Sequence, residues 1–184
     1  MIRTLATIFA TIAMLATLPA SAADYAQAPG STLAFATQYD RETFTGTFPG
    51  FTTRLSFDPA NLAGARLDVA IPLAGARTGN PDRDTTLRGS DFFDASKFPQ
   101  AHYTASKFRS LGNGDYAADG ILDLHGMRKP VTFTFHWTAG AKPVLTGKAS
   151  VKRLDFGIGS GDWADTRLIP DAVAVSTRVV LIPR

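Results

Sequence analysis

Apolar and polar side chains alternate along most of the chain beyond its N-terminal region. In the clearest stretch, residues 131–137, four apolar side chains fall on one face and two threonines and a histidine fall on the other. This period of two is typical of a β-strand that buries one face. Residues 66–71 repeat the pattern. The remaining stretches with shorter or weaker alternation are residues 33–57, 103–124, 145–151 and 173–181.

Turn-forming residues separate these stretches, as at Pro49-Gly50, Asp58-Pro59 and Gly112-Asn113-Gly114. About eight short strands at this spacing predict a β-barrel or a β-sandwich. The last stretch is long and apolar, and pairing it with the first strand would close the sheet and remove both edges. We therefore predict an all-β fold, an extended eight-stranded antiparallel β-barrel.

Residues 78–98 lack the period of two and interrupt the strands. Pro81 and the acidic residues that follow it are typical of the first turn of a helix, so we expect a short helical segment here. Long loops in compact β-domains are often functional. Phe92 and Phe93 within this segment would form either a rim that closes over a ligand or a plug in the end of the barrel.

The alternation assigns a set of apolar and aromatic side chains to the inside of the barrel. An eight-stranded barrel is near the size at which side chains either fill the interior or enclose one small ligand. These residues therefore have two interpretations, a packed core or the wall of a ligand tunnel. The predicted ligand-binding residues are Leu33, Phe35, Phe44, Phe48, Leu67, Val69, Ile71, Phe92, Phe93, Tyr103, Leu122, Phe133, Phe135 and Trp137.

The N-terminus has the pattern of a secretory signal peptide. Arg3 precedes an apolar run over residues 5–18, which ends in Pro19-Ala20-Ser21-Ala22, a small-x-small cleavage sequence. The alternative is a membrane anchor, but a bilayer span needs roughly 20 apolar residues. We predict a signal peptide over residues 1–22, a mature domain over residues 23–184, and export to the periplasm, with no integral membrane segment after cleavage.

Composition and spacing favour a binding protein over an enzyme. The chain has no cysteine, which excludes cysteine catalysis, cysteine-ligated zinc and iron–sulfur clusters. Its formal net charge is +3 without a run of consecutive lysines and arginines, so we do not expect nucleic-acid binding. The three histidines lack metal-ligand spacing, and Glu42 is the only glutamate. We predict no catalytic residues, no metal and no cofactor.

Four stretches, taken in order, resemble the YceI family of periplasmic polyisoprenoid-binding proteins. Residues 83–88 resemble the family's Arg-Asp-x-His-Leu-Arg segment, and residues 91–99 resemble its Asp-Phe-Phe-Asp and Lys-Tyr-Pro segment. Residues 120–131 resemble Gly-x-Leu-Thr-Leu-His-Gly with Lys-Pro-Val, and residues 153–159 resemble Arg-x-Asp-Phe-Gly. The sequence departs from the family at Thr86, where a histidine is usual, at Asp123, where a threonine is usual, and in lacking the histidine often found after the first strand.

The resemblance implies a lipocalin-like barrel with a long apolar tunnel for an isoprenoid chain. The expected function is the non-catalytic binding of a polyprenyl chain or an isoprenoid quinone for transport, storage or protection, with a transient inner-membrane partner. Arg83, Asp84 and Arg88 are candidates for the head group, because an arginine fork suits phosphate or carboxylate. Their alternative is a structural Arg–Asp pair.

Two other functions remain open on the sequence. One is an enzyme that acts on such a lipid, with Asp84 or His125 as the acid or base. The other is an interaction protein with a solid barrel that contacts a membrane quinone-handling partner. A cavity inside the barrel would distinguish the binding protein from the solid one.

Overall fold

A computed structural model describes residues 22–184. The predicted signal peptide lies outside the described residues except for Ala22, so its cleavage and the domain boundary stay predictions. Within residues 22–184, no helix has the length and apolar character needed to cross a bilayer.

The described chain forms ten β-strands and one short α-helix, α1, at Pro81–Arg88. Short 3₁₀ turns connect several of them. The strands are β1 (Ala23–Gln27), β2 (Thr32–Tyr39), β3 (Glu42–Thr47), β4 (Thr52–Phe57), β5 (Arg66–Pro72), β6 (Gln100–Gly112), β7 (Asp115–Leu124), β8 (Met127–Thr138), β9 (Val144–Lys152) and β10 (Ala172–Pro183).

The strands close into an antiparallel barrel with eight positions around its wall. The order is β1-β4-β5-β6-β7-β8-β9-β10, and β10 pairs with β1 to complete the ring. β1 and β2 pair with different stretches of β10, so together they occupy one position in the wall. β4 pairs with β1 and β3 pairs with β2, so β3 and β4 together occupy the next position. Two wall positions therefore each consist of two strands in line, and the predicted eight-stranded antiparallel barrel is confirmed.

A Pro-Gly sequence stands at each of the two breaks. Pro29 and Gly30 separate β1 from β2, and Pro49 and Gly50 separate β3 from β4. Proline has no N–H to donate to the sheet, and both glycines have positive φ angles, +87° and +78°. The chain bends at these points and leaves the regular ladder.

The segment after β5 attaches to the free edge of β3. Thr47 and Arg77 exchange two backbone hydrogen bonds of 2.8 and 3.0 Å. Helix α1 then begins at Pro81, as predicted, and the Asn80 side chain caps it by accepting hydrogen bonds from the N–H groups of Asp82 and Arg83. These contacts hold the helical segment against the end of the barrel that contains β2 and β3.

Aromatic side chains fill the interior at the end of the barrel that contains β1 and β4. The ring of Phe57, which is 1% exposed, has its centre 5.0 Å from those of Tyr116 and Trp137 and 5.6 Å from that of Phe135. We call this cluster the aromatic floor. Its members are Tyr25, Phe57, Phe108, Tyr116, Phe135 and Trp137.

Candidate ligand-binding cavity

A cavity of about 460 Å³ occupies the barrel interior above the aromatic floor. Its volume lies within the range of roughly 300–1,000 Å³ found for small-molecule sites. The lining surface is predominantly apolar, and most of the lining side chains come from the inward faces of the strands. Val69, Val131, Val173 and Val175 point into the cavity and are only partly buried. The interior is therefore not solid.

Most of the residues predicted to bind the ligand meet at this cavity. Their role in binding stays a prediction, but the structure brings them together around one space. Those that line it are Leu33, Phe35, Phe44, Phe48, Leu67, Val69, Ile71, Phe92, Phe93, Tyr103, Leu122 and Phe133.

Phe135 and Trp137 point inward as predicted but do not line the cavity. They are 3% and 8% exposed and belong to the aromatic floor. The predicted alternation is correct over residues 131–137 of β8. Phe133 lies at cavity depth, whereas the next two inward positions lie deeper, where rings from several strands fill the space.

The helical segment forms part of the cavity wall. Leu87, Phe92 and Phe93 are buried and line the cavity. The ring centre of Phe93 lies 5.8 Å from that of Phe48, and that of Phe92 lies 5.5 Å from that of Trp163. The two phenylalanines join the segment to both the barrel and the loop after β9.

The exposed lining residues mark the opening of the cavity. Tyr39, at the end of β2, is 45% exposed, and Asn80, Asp82 and Thr86 of the helical segment, which also line the cavity, are exposed as well. The ring centre of Trp163, in the loop after β9, lies 6.4 Å from that of Tyr39. A ligand in the cavity would therefore place its polar end between α1, the β2–β3 turn and the loop after β9.

Of the three head-group candidates, only Arg83 lines the cavity. Its guanidinium carbon lies 4.1 Å above the centre of the Phe44 ring, a cation–π contact, and no carboxylate among residues 22–184 forms an ion pair with it. Arg88 does not reach the cavity. The predicted alternative, a structural Arg–Asp pair among these three residues, does not form in the described chain.

Asp84 holds the loop before α1. Its carboxylate accepts hydrogen bonds from the hydroxyl of Thr78 at 2.6 Å and from the Thr78 N–H at 2.7 Å. The hydrogen bond from the Thr78 hydroxyl is the largest cause of a lowered pKa of Asp84. The bond from the Thr78 N–H and the charges of Arg88 and Arg83 also lower this pKa, while desolvation raises it. Asp84 is absent from the cavity lining, so its placement favours a structural role.

The lowered pKa makes a pH-dependent prediction for Asp84→Asn. A carboxyl with a folded pKa below its unfolded value, about 3.9, stabilises the fold above that value and loses the contribution as pH falls through the folded pKa. We expect the variant to melt below the parent at pH 6 and the difference to shrink toward pH 3, measured by circular dichroism. Asp82→Asn, exposed in the same helical turn, is the control. An Asp84→Asn deficit that does not change with pH would contradict the assignment.

Arg153 is a buried residue of the site that the sequence did not identify. It is 3% exposed, and it donates all five of its N–H groups to backbone carbonyls at 2.5–3.2 Å. Burial lowers its pKa, an effect that the charge of Asp171 opposes. The acceptors are the carbonyls of Ile158, Gly159, Trp163, Ile169 and Pro170.

The loop held by Arg153 supplies one side of the cavity opening. Ile158, Trp163 and Ile169 all line the cavity. The Arg-x-Asp-Phe-Gly resemblance includes Arg153, but no spacing rule shows that one guanidinium bonds five carbonyls. Other inward positions of the late strands, Leu145 and Val179 among them, also line the cavity and follow directly from the alternation.

The two candidate acid–base residues lie outside the cavity lining. His125 occupies the turn after β7 with a φ of +54°, and its Nδ1 bonds the carbonyl of Phe156 at 2.9 Å. The Phe98 ring packs against it with centres 4.9 Å apart. His125 and Asp84 are both engaged in local structure, and neither lines the cavity. Their positions do not support catalysis on a ligand in the barrel.

Comparison with known proteins agrees with this architecture. The sequence profile described as the YceI-like domain matches residues 25–181. A UPF0312 protein of Shewanella baltica is 30% identical over 157 residues, covering 79% of this chain and 82% of its own. A UPF0312 protein of Vibrio cholerae is 33% identical over 138 residues, covering 70% and 73%.

Solved structures share the fold. BcnA of Burkholderia cenocepacia is 28% identical, with a TM-score of 0.78 over 82% of this chain and 95% of its own. A polyisoprenoid-binding domain from Saccharophagus degradans is 19% identical, with a TM-score of 0.68 over 89% and 99%. At that identity, the second likeness concerns the fold alone.

Proposed function

The chain belongs to the YceI-like domain family, and from this premise we propose that it binds one long apolar lipid of the isoprenoid type inside its barrel, without catalysis. The lipid is a polyprenyl chain or an isoprenoid quinone. We further propose that this takes place in the periplasm, for transport, storage or protection, with a transient inner-membrane partner that exchanges the lipid.

The observation that carries the proposal is the apolar cavity that opens at one end. An isoprenoid chain has almost no polar groups, so its binding depends on buried apolar area, at about 25 cal/mol per Å², and on shape. The side chains around the cavity provide that surface, and polar side chains cluster at its opening. This arrangement fits a ligand with an apolar tail and a polar head.

The experiment is to express the full chain in a Gram-negative host, isolate the protein from the periplasmic fraction, and measure its mass under native conditions before and after solvent extraction. We expect a stoichiometric adduct that extracts as a polyprenyl or quinone-type lipid. After delipidation, the protein should take up an offered polyprenol or quinone. A protein that carries no lipid and takes up neither one would refute the proposal.

The position of Arg83 in the cavity lining predicts that it contributes to the affinity for a lipid with a charged head group. A charge-assisted hydrogen bond contributes about 1.5–3 kcal/mol, and 1.4 kcal/mol corresponds to tenfold in affinity. We expect Arg83→Gln to weaken the binding of a prenyl phosphate about tenfold and that of the matching prenol less than about twofold, by fluorescence titration. Arg54→Gln, exposed on β4, is the control. Equal losses for both ligands would assign Arg83 to the structure of the opening rather than to the head group.

A further inference from the structure

The depth of the cavity is limited by the aromatic floor. Leu145 lines the cavity and pairs across the sheet with Trp137 of the floor. Phe133 lines the cavity and stacks at 5.7 Å on Phe135, also of the floor. Below this level, Leu55 and Leu181 are 2% and 0% exposed. A chain that enters from the opening therefore meets packed side chains and stops.

The volume above the aromatic floor limits the number of carbon atoms that the cavity can hold. A cavity of about 150 Å³ accommodates benzene, which has six carbons. At the same packing, about 460 Å³ accommodates about 18 carbons. That number corresponds to three or four isoprene units of five carbons each.

The width of the cavity depends on aromatic rings that pack over glycines of a neighbouring strand. Phe35 on β2 pairs with Gly46 on β3, and a methyl group added to Gly46 would lie 2.3 Å from the Phe35 ring. Gly147 on β9 pairs with Phe135 of β8, and a methyl group added to Gly147 would lie 2.2 Å from the ring of Phe133, two residues earlier on β8. Both rings line the cavity. Because the glycines have no side chain, the rings occupy the wall rather than the cavity.

We propose that these features make the barrel selective for chain length. It buries three or four isoprene units of a lipid, the aromatic floor fixes the depth, and the glycine-seated rings of Phe35 and Phe133 fix the width. Further units of a longer lipid would remain outside the opening. The inference rests on the proposed function and specifies the size of its ligand.

The first test measures affinity against chain length. The delipidated protein is titrated with prenols of two, three, four and eight isoprene units, and tryptophan fluorescence reports binding. We expect affinity to rise steeply up to three or four units and then to change less than about threefold up to eight. A further steep rise from four to eight units would overturn the inference.

The second test moves a ring off its glycine. Gly46 does not have a positive φ, so alanine can adopt its backbone conformation. The added methyl group would lie 3.1 Å from the Arg77 carbonyl oxygen, which must move slightly, and 2.3 Å from the Phe35 ring, which must shift toward the cavity. We expect Gly46→Ala to shorten the longest fully accommodated prenol by about one isoprene unit. The double variant Gly46→Ala/Phe35→Leu should restore the original limit, because leucine leaves room for the new methyl group. Gly64→Ala, outside the cavity and with only ordinary contacts around the added methyl, should leave the limit unchanged.

The outcomes separate this inference from the function on which it rests. If no prenol of any length binds, the proposed function fails. If prenols bind but their affinity shows no limit in chain length, or if the limit does not move in Gly46→Ala, the function stands and the chain-length inference fails. If Gly46→Ala does not fold, the series of affinities against chain length decides the inference on its own.

Discussion

Replacing Arg153 by methionine is expected to lower the free energy of unfolding by about 4 kcal/mol. The variant keeps much of the aliphatic stem but leaves five carbonyls without their donor. Each buried polar group left unsatisfied costs about 1–3 kcal/mol, and movement of the loop allows water to reach some of them. The melting temperature should fall by about 8–16 °C for a protein of this size.

Urea unfolding followed by tryptophan fluorescence measures this effect and locates it. The two tryptophans are Trp163, in the loop that Arg153 holds, and Trp137, in the aromatic floor. We expect the Trp163 signal of the variant to change at lower urea than the Trp137 signal, separated by single Trp→Phe backgrounds. Arg178→Met, exposed on β10, should change stability by less than about 0.5 kcal/mol. If Arg153→Met matches Arg178→Met, apolar contacts alone hold the loop.

Filling the cavity at Ala149 is expected to reduce lipid affinity at least about 100-fold. Ala149 lines the cavity from β9. An indole is larger than benzene, for which about 150 Å³ is needed, so Ala149→Trp would occupy at least a third of the available volume. Displacing several carbons of the ligand costs about 0.8 kcal/mol for each buried CH₂. The fold should keep its stability, because the added ring fills space rather than displacing the core.

The matched control is Ser150→Trp, the next residue on the same strand, whose side chain is exposed. Both variants are delipidated and titrated with a prenol of four units, and their melting temperatures are compared with that of the parent. We expect the loss only in Ala149→Trp. If both variants bind as the parent does, the lipid does not occupy the barrel. If only Ser150→Trp loses binding, the ligand lies on the outer surface.

The stability of the cavity opening and the proposed lipid binding depend on the same loop after β9. Arg153 orders a loop by satisfying backbone carbonyls, and that loop places Ile158, Trp163 and Ile169 against the cavity. A lipid would contact the same side chains. We therefore expect loss of the Arg153 hydrogen bonds to weaken lipid binding as well as folding, whereas Ala149→Trp should affect binding alone.

The alternation along the chain predicts the strands and the direction of their side chains, and the long apolar last strand favours a barrel over a sandwich. A period of two defines the face of each strand wherever one face is buried, so Leu67, Val69 and Phe133 were assigned inward from the chain alone. The helix start at Pro81 also followed from local rules, because a proline and acidic residues in the first turn act within a few positions. The four family-like stretches indicated the lipid-binding class.

Tertiary structure decided how deep each inward residue lies. Phe133, Phe135 and Trp137 have the same local pattern, but only the register of β8 with its neighbours places the first at the cavity and the others in the floor. Arg153 bonds carbonyls up to 17 residues away along the chain, and the rings on Gly46 and Gly147 depend on strand pairing. Alternation specifies a face but carries no information about distance along the barrel axis, so the size of the cavity emerges only when the strands pair.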